Sequence, residues 1–189
     1  MPQLTPFTAS TLAVAAILLL PGCTGDAPLV LPSPESSTAP VFASDEEALA
    51  AAEAAYGEYL RLLDEIFSDG GVGGDRLNAV AAAELVERQA VGFEEAMAAG
   101  ETSFGTTTFD SMELQQYDSG APGGDSIVTV YVCQDVSQVD VRDKQGNSVV
   151  ADGRATRIPF EVAFDLSSTQ SKLIVGSTEI WTGADFCND

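Results

Sequence analysis

The chain has 189 residues, with 29 Asp and Glu against 8 Lys and Arg, so its formal net charge at pH 7 is −21. This charge excludes nucleic acid as a partner and disfavours direct docking on anionic lipid headgroups, because both surfaces are bound mainly through Lys and Arg. The sequence has no histidine, which excludes Ser–His nucleophilic catalysis and His-ligated metal chemistry.

Residues 12–23 form an apolar run that ends at Cys23. The run holds about ten apolar residues, whereas a membrane-spanning helix needs about 20, so it fits the hydrophobic region of a signal peptide that is removed. Its last residues, Leu20-Pro21-Gly22-Cys23, resemble the lipobox of bacterial lipoproteins. The alternative is an ordinary secretory signal whose cleavage site lies near a cysteine.

The lipobox resemblance implies that residues 1–22 are a signal peptide and that the thiol of Cys23 carries lipid. Two or three acyl chains such as palmitate would hold the protein on a bilayer, since each buried methylene contributes about 0.8 kcal/mol. We therefore expect a protein anchored through acylated Cys23 at the extracytoplasmic face of the cell membrane. Residues 23–43 would form an extended tether, because prolines punctuate this stretch: Pro28, Pro32, Pro34 and Pro40.

Two helical regions are predicted after the tether. Ser44 and Glu47 form a capping box, and apolar residues recur at helical spacing over 45–67: Ala52, Tyr56, Tyr59, Leu60, Leu63 and Phe67. The glycine-rich, acidic loop 68–75 follows. It lacks the ligand spacing of a calcium loop, so we interpret it as a turn. A second helical region with possible breaks is predicted from Asp75 to Gly100, whose glycine suits a helix end.

From residue 101 the pattern indicates β-strands. We predict them at 106–109 with 111–117, 127–133, 136–141, 157–166 and 172–181. The connections between them are short, which favours antiparallel pairing because parallel crossovers need a dozen or more residues. Helices followed by an antiparallel sheet predict an α+β domain over residues 44–189.

Three cysteines are present, Cys23, Cys133 and Cys187. If lipid occupies Cys23, an exported protein has one disulfide available, between Cys133 and Cys187. Such a bridge would stabilise the domain by about 4 kcal/mol through loop closure. The alternative is two free buried thiols. A zinc site is disfavoured, because two isolated thiolates without histidine supply too few ligands.

The order of elements resembles the nuclear transport factor 2-like superfamily, also called SnoaL-like, and exported actinobacterial lipoproteins with that fold. The shared features are the Ala- and Tyr-rich helix 45–67, the helix end at Ala98-Ala99-Gly100, the segment 131–135, and Trp181 with Cys187. The resemblance implies a cone, in which N-terminal helices pack on a curved antiparallel sheet around a pocket. Its lining would include Tyr56, Tyr59, Tyr131, Phe160 and Trp181.

No spacing among the tyrosines and strand carboxylates singles out a catalytic pair, so the sequence assigns no catalytic residue, metal or cofactor. Three functions stay open. The first is a non-catalytic binding module of the cell envelope, whose partner is another envelope protein or a wall component. The second is a binder of a small apolar ligand inside the cone. The third is an isomerase- or dehydratase-like enzyme, which requires an Asp or Glu beside a Tyr in the cavity.

Overall fold

The computed structural model describes residues 40–118, 120–121, 126–168 and 172–187. The predicted signal peptide, Cys23 and nearly all of the tether lie outside these residues, so those assignments stay predictions. The described helices are α1 (Asp45–Ser68), a 3-10 helix (Gly74–Ala79) and α2 (Ala83–Ala99). The described strands are β1 (Thr102–Phe104), β2 (Thr108–Tyr117), β3 (Val128–Asp135), β4 (Asp140–Arg142), β5 (Arg157–Leu166) and β6 (Leu173–Ile180).

The start of α1 has the predicted cap at Ser44, whose hydroxyl accepts from the Glu47 amide at 3.3 Å. The return bond differs from that of a capping box, because the Glu47 carboxylate accepts from the Ala43 amide, at 2.7 Å, and not from the Ser44 amide. The one face of α1 that enters the core includes Tyr56, Tyr59 and Ile66.

The second helical region is broken at residues 80–82. Here the backbone pairs with the edge of β6, because the Val175 amide donates to the Val80 carbonyl and the Ala82 amide donates to the Val175 carbonyl, both at 2.9 Å. This short parallel bridge diverts the chain between the 3-10 helix and α2. The helix α2 ends at Gly100, which has φ +68° as expected for a left-handed cap.

Four strands form the main sheet in the order β2-β3-β5-β6, with antiparallel pairing throughout. The predicted α+β class with an antiparallel sheet is therefore confirmed. The sheet is open, because β2 and β6 are its edges. Register shifts interrupt β2 and the β5–β6 ladder, and such bulges bend and twist a strand.

A second, two-stranded sheet joins β1 to β4. The sequence prediction for this region was wrong in two respects. Residues 136–141 were expected to form one strand, but the structure shows a turn at 136–139 followed by the three-residue β4. No strand was expected at 102–104, where β1 lies. Both strands are too short to leave a periodic pattern in the sequence.

The core lies between the helices and one face of the main sheet. The buried strand residues of this face alternate along each strand: Val128, Val130, Val132, Val162, Phe164, Leu173 and Val175. Of the described helices, none is long and apolar enough to span a membrane.

The C-terminal tail is fixed to the other face of the sheet by the predicted disulfide. Cys133 on β3 is bonded to Cys187, with their Cα atoms 5.4 Å apart. The predicted pairing is thus confirmed, and both cysteines are buried.

Candidate functional site

A cleft of about 470 Å³ opens between α1, α2, the β1–β4 sheet and the core-facing side of the main sheet. Its walls combine apolar and polar side chains and come from every one of these elements. Among the lining residues are Tyr59, Leu60, Leu63, Phe67, Gly92, Ala96, Val139, Val141 and Phe160. The β1–β4 sheet is separate from the main sheet and forms one wall of the cleft. The helices and the main sheet form the other walls.

The floor of the cleft is polar and neutral. Tyr59 of α1 accepts a hydrogen bond from the Gln89 amide of α2 at 3.0 Å, and the Thr178 side chain of β6 also hydrogen-bonds to it. Gln134 of β3 lies nearby, and its Oε1 accepts from the Tyr56 hydroxyl at 2.8 Å. These bonds fix the positions of four polar side chains that converge from four elements.

Burial keeps both helix tyrosines protonated. It raises the pKa of Tyr59 from 10.0 to about 12, and it raises the pKa of the more deeply buried Tyr56 further. Neither hydroxyl is therefore ionised near neutral pH, so each acts only as a neutral hydrogen-bond group.

Three carboxylates line the cleft, from Asp64 of α1, Glu95 of α2 and Glu101 just before β1. Asp64 accepts from both the amide and the hydroxyl of Thr107, each at 2.7 Å. This contact ties α1 to the segment between β1 and β2, and so holds one wall of the cleft in place. No Lys or Arg is among the lining residues of the described chain.

The residues predicted to line one pocket fall into three places. Tyr59 and Phe160 line the cleft. Tyr56 lies behind the floor, fully buried, and reaches the cleft only through Gln134. Tyr131 and Trp181 lie on the opposite face of the sheet, because Tyr131 alternates along β3 with the core residues Val130 and Val132.

On that outer face the aromatic rings pack against each other and not around a cavity. The Tyr131 ring centroid is 4.4 Å from that of Trp181 and 5.9 Å from that of Phe186. Partial burial and the neighbouring Glu161 carboxylate raise the pKa of Tyr131. A tyrosine–carboxylate contact therefore exists in this protein, but it lies outside the cleft.

Arg157 holds the tail against the outer face. Its Nε donates to the Cys187 carbonyl at 2.9 Å, while its terminal nitrogens bind both oxygens of Asp110 and reach Asp135 at 3.3 Å. The guanidinium lowers the pKa of Asp110. These contacts are structural, since each connects a strand or the tail to a neighbouring strand.

Sequence reasoning missed Gln89, Gln134, Thr178 and Asp64 as cleft residues. One of them left a detectable signal. Gln134 follows Val128, Val130 and Val132 at intervals of two, so a polar side chain stands at the end of an apolar strand face. Such a residue on a core face needs a hydrogen-bond partner, and Tyr56 supplies it.

Within the described ranges no group of three His, Cys, Asp or Glu side chains is arranged to hold a metal ion. The cleft residues offer neutral donors and acceptors on the floor and carboxylates toward the sides. The Tyr59 hydroxyl is engaged by Gln89 and Thr178, and Asp64 is engaged by Thr107. Together with the apolar side chains of the walls, this arrangement suits recognition of a ligand that has both an apolar and a polar part.

Among solved structures, the chain is similar to the crystal structure of the intermembrane space region of chloroplast protein ARC6. The TM-score is 0.50 at 10% sequence identity, and the match covers 70% of this chain and 95% of that one. At this identity the similarity concerns the fold alone. No family model matches the chain, and no curated protein matches it.

Proposed function

We propose that this protein is a lipid-anchored, extracytoplasmic and non-catalytic binding module of the cell envelope, and that its cleft is the binding site. The observation that carries the proposal is the cleft itself. Its volume of about 470 Å³ lies in the range of small-molecule sites, and its lining combines apolar side chains with polar groups from several elements. A small ligand with an apolar body fits this lining better than a flat protein surface does.

Binding is favoured over catalysis by the hydrogen bonds within the cleft. Acid–base chemistry of the isomerase or dehydratase type needs a carboxylate beside a tyrosine. The floor tyrosine, Tyr59, has an amide and a hydroxyl as its partners. We therefore assign Tyr59 to ligand positioning.

The proposed location is supported by the disulfide and by the N-terminal sequence. Disulfides persist in oxidising compartments and are rare in the cytosol, and Cys133 and Cys187 are bonded. The lipobox-like segment ending at Cys23 supplies the proposed anchor. An ordinary secreted form, with Cys23 unmodified, is the alternative that mass analysis of this residue would detect.

We further propose that the domain belongs to the nuclear transport factor 2-like superfamily. Three features support this proposal. Helices precede the antiparallel sheet in the chain, they pack on one face of it, and the cleft lies between that face and the first helix. The register shifts in β2 and β5–β6 are of the kind that curve a sheet.

A substitution that fills the cleft tests the binding function. Gly92 of α2 lines the cleft, and a Cβ built there would lie 3.6 Å from the Phe67 ring, which is an ordinary contact. Gly92→Leu therefore places a side chain in the cleft and also favours the helix by about 1 kcal/mol. We expect a small molecule to co-purify with wild-type protein from its host and to be lost from Gly92→Leu.

The matched control is Ala98→Leu, which adds bulk to an exposed position of the same helix. Mass spectrometry of solvent extracts from the three purified proteins makes the comparison. A molecule retained by wild type and Ala98→Leu alone supports the proposal. Equal retention by Gly92→Leu, or a partner that crosslinks to the outer face of the sheet and leaves the cleft empty, would contradict it.

A further inference from the structure

The charged groups of the cleft all carry the same sign. Asp64, Glu95 and Glu101 come from three different segments, yet all three line the same space. Among the described residues, Glu95 and Glu101 form no ion pair with any Lys or Arg. Asp64 is hydrogen-bonded only to neutral donors of Thr107, so its charge is not compensated.

The nearest basic side chains are engaged elsewhere or lie outside the cleft. Arg88 of α2, one residue before the cleft residue Gln89, is paired with Glu179 at 2.6 Å. Arg61 is paired with Glu58 and Glu65 on the exposed side of α1. The aliphatic part of Lys144 packs over Gly100 and does not line the cleft.

Carboxylates that line a concave site make the electrostatic potential inside it more negative, because the low-dielectric walls screen the charges poorly. An anionic ligand such as a fatty acid would meet three carboxylates, while Arg88, whose charge acts on the Tyr59 hydroxyl, is itself paired with Glu179. A ligand with an ammonium or guanidinium group would instead place its charge beside the carboxylates and its hydrocarbon against Leu60, Leu63 and Phe160. The neutral floor would accept the uncharged end of such a ligand.

We propose that the cleft selects a small cationic amphiphile, with an apolar body and an amine or guanidinium group. This inference rests on the proposed binding function and adds the charge class of the ligand. The selecting residues are Glu95 and Glu101, which line the cleft and have no ion-pair partner within the described ranges, with Asp64 as a third negative group.

Three fluorescent probes that share one apolar body test the charge preference. Dansylcadaverine carries an ammonium group, 5-(dansylamino)pentanol is neutral, and 6-(dansylamino)hexanoate is anionic. Each is titrated into the full chain carrying Cys23→Ser, so that no detergent competes for the probe. We expect dansylcadaverine to bind most tightly and the hexanoate most weakly.

Two sets of variants decide whether the preference is local. Glu95→Gln and Glu101→Gln should each weaken dansylcadaverine binding by about threefold, in keeping with single exposed charge pairs, and should leave the neutral probe unchanged. Glu94→Gln is the matched control, because it removes the same charge from the adjacent residue of α2, which does not line the cleft. Circular dichroism of each variant checks the fold.

The outcomes separate this inference from the function on which it rests. Binding of all three probes with equal affinity, or tightest binding of the hexanoate, overturns the charge preference and leaves the cleft as a binding site. An equal loss in Glu94→Gln and Glu95→Gln overturns it as well, since the effect would then come from the overall charge of the chain. If no probe binds, and Gly92→Leu retains the same co-purifying molecules as wild type, both proposals fail.

Discussion

Tyr59 connects the core of the protein to its candidate site. Its ring is buried beside the rings and aliphatic side chains of the core, while its hydroxyl reaches the floor of the cleft. The neighbouring Tyr56, whose ring centroid is 6.1 Å away, shares this burial and orients Gln134. The two tyrosines therefore contribute to the stability of the core and also position the polar side chains on the floor of the cleft.

This burial predicts a loss of stability at alkaline pH. The pKa of Tyr59 is about 12 in the folded protein, whereas an exposed tyrosine in the unfolded chain has a pKa of about 10. The folded state thus binds more protons above pH 10, and the free energy of unfolding falls as pH rises from 10 to 12. The slope contributed by each buried tyrosine is at most about 1.4 kcal/mol per pH unit.

Urea unfolding at a series of pH values measures this slope. Tyr59→Phe should be less stable at pH 7, by about 1 kcal/mol for the lost hydrogen bonds, and should lose less stability between pH 10 and pH 12 than wild type. Tyr117→Phe is the matched control, because it removes a hydroxyl group that bonds to Phe42 and lies outside the cleft. An identical alkaline slope in wild type and Tyr59→Phe would contradict the assignment of burial as the cause.

Substitution of glycine by alanine should have opposite effects on stability at Gly57 and at Gly71. Gly57 lies within α1, and a Cβ there would be 3.7 Å from the Phe109 ring, so Gly57→Ala should stabilise the protein by up to about 1 kcal/mol through helix propensity. Gly71 has φ +86°, and a Cβ there would be 2.3 Å from the Phe93 carbonyl oxygen. Gly71→Ala should therefore destabilise by more than about 1 kcal/mol.

Chemical unfolding of the two variants beside wild type gives both values. The pair is informative because each variant adds one methyl group, and only the local backbone and neighbours differ. Stabilisation by Gly71→Ala, or a large loss in Gly57→Ala, would show that the loop after α1 or the contact between α1 and β2 is arranged differently.

At the scale of single residues, sequence reasoning identified the helix cap at Ser44 from residue type and local spacing. It identified the cysteine pair by elimination, since lipid on Cys23 would leave only Cys133 and Cys187. It could not assign Tyr131 and Trp181 to the outer face. That assignment depends on which alternating set of β3 residues meets the helices, and both sets contain apolar side chains. A shift of one residue would exchange the two faces.

The position of the C-terminal tail depends on one covalent bond, the Cys133–Cys187 disulfide. Cys133 and Cys187 are 54 residues apart in sequence, and the tail between β6 and Cys187 carries Trp181 and Phe186 onto the Tyr131 ring. Reduction should lower the free energy of unfolding by about 4 kcal/mol. It should also shift the emission of Trp181, the single tryptophan, to longer wavelength as the tail separates from the sheet.

Fluorescence and urea unfolding with and without a thiol reductant check both effects. The double variant Cys133→Ser with Cys187→Ser is the control, and it should resemble the reduced protein and respond no further to reductant. Two reactive thiols in the denatured, unreduced protein would contradict the bridge. Unchanged emission and stability after complete reduction would contradict its role in holding the tail.

The elements that the sequence mispredicted are those defined by distant partners. The pairing of β1 with β4 brings residues 102–104 against 140–142, and neither segment is long enough to show periodicity. The break at residues 80–82 likewise results from a bridge to Val175 on β6. By contrast α1, β3 and β5 were predictable, because long apolar patterns specify them locally.

For the whole molecule, the sequence predicted the α+β class and the antiparallel sheet, but it assigned Tyr131 and Trp181 to the wrong side of that sheet. The composition of the cleft was not predictable, since its lining is drawn from two helices and two sheets that meet only in the folded chain. The negative charge of the sequence was interpreted as a general property. The structure adds that three of the carboxylates line one cleft.

The proposed function depends most on the cellular location of the domain. The Cys133–Cys187 bond favours an oxidising compartment, and the anchor that we propose for such a location is Cys23. The most direct test is mass spectrometry of the N-terminal peptide of the protein isolated from its native host. We predict a chain that begins at Cys23 with a diacylglycerol on the thiol. An intact N-terminus at Met1, or an unmodified thiol at Cys23, would contradict it.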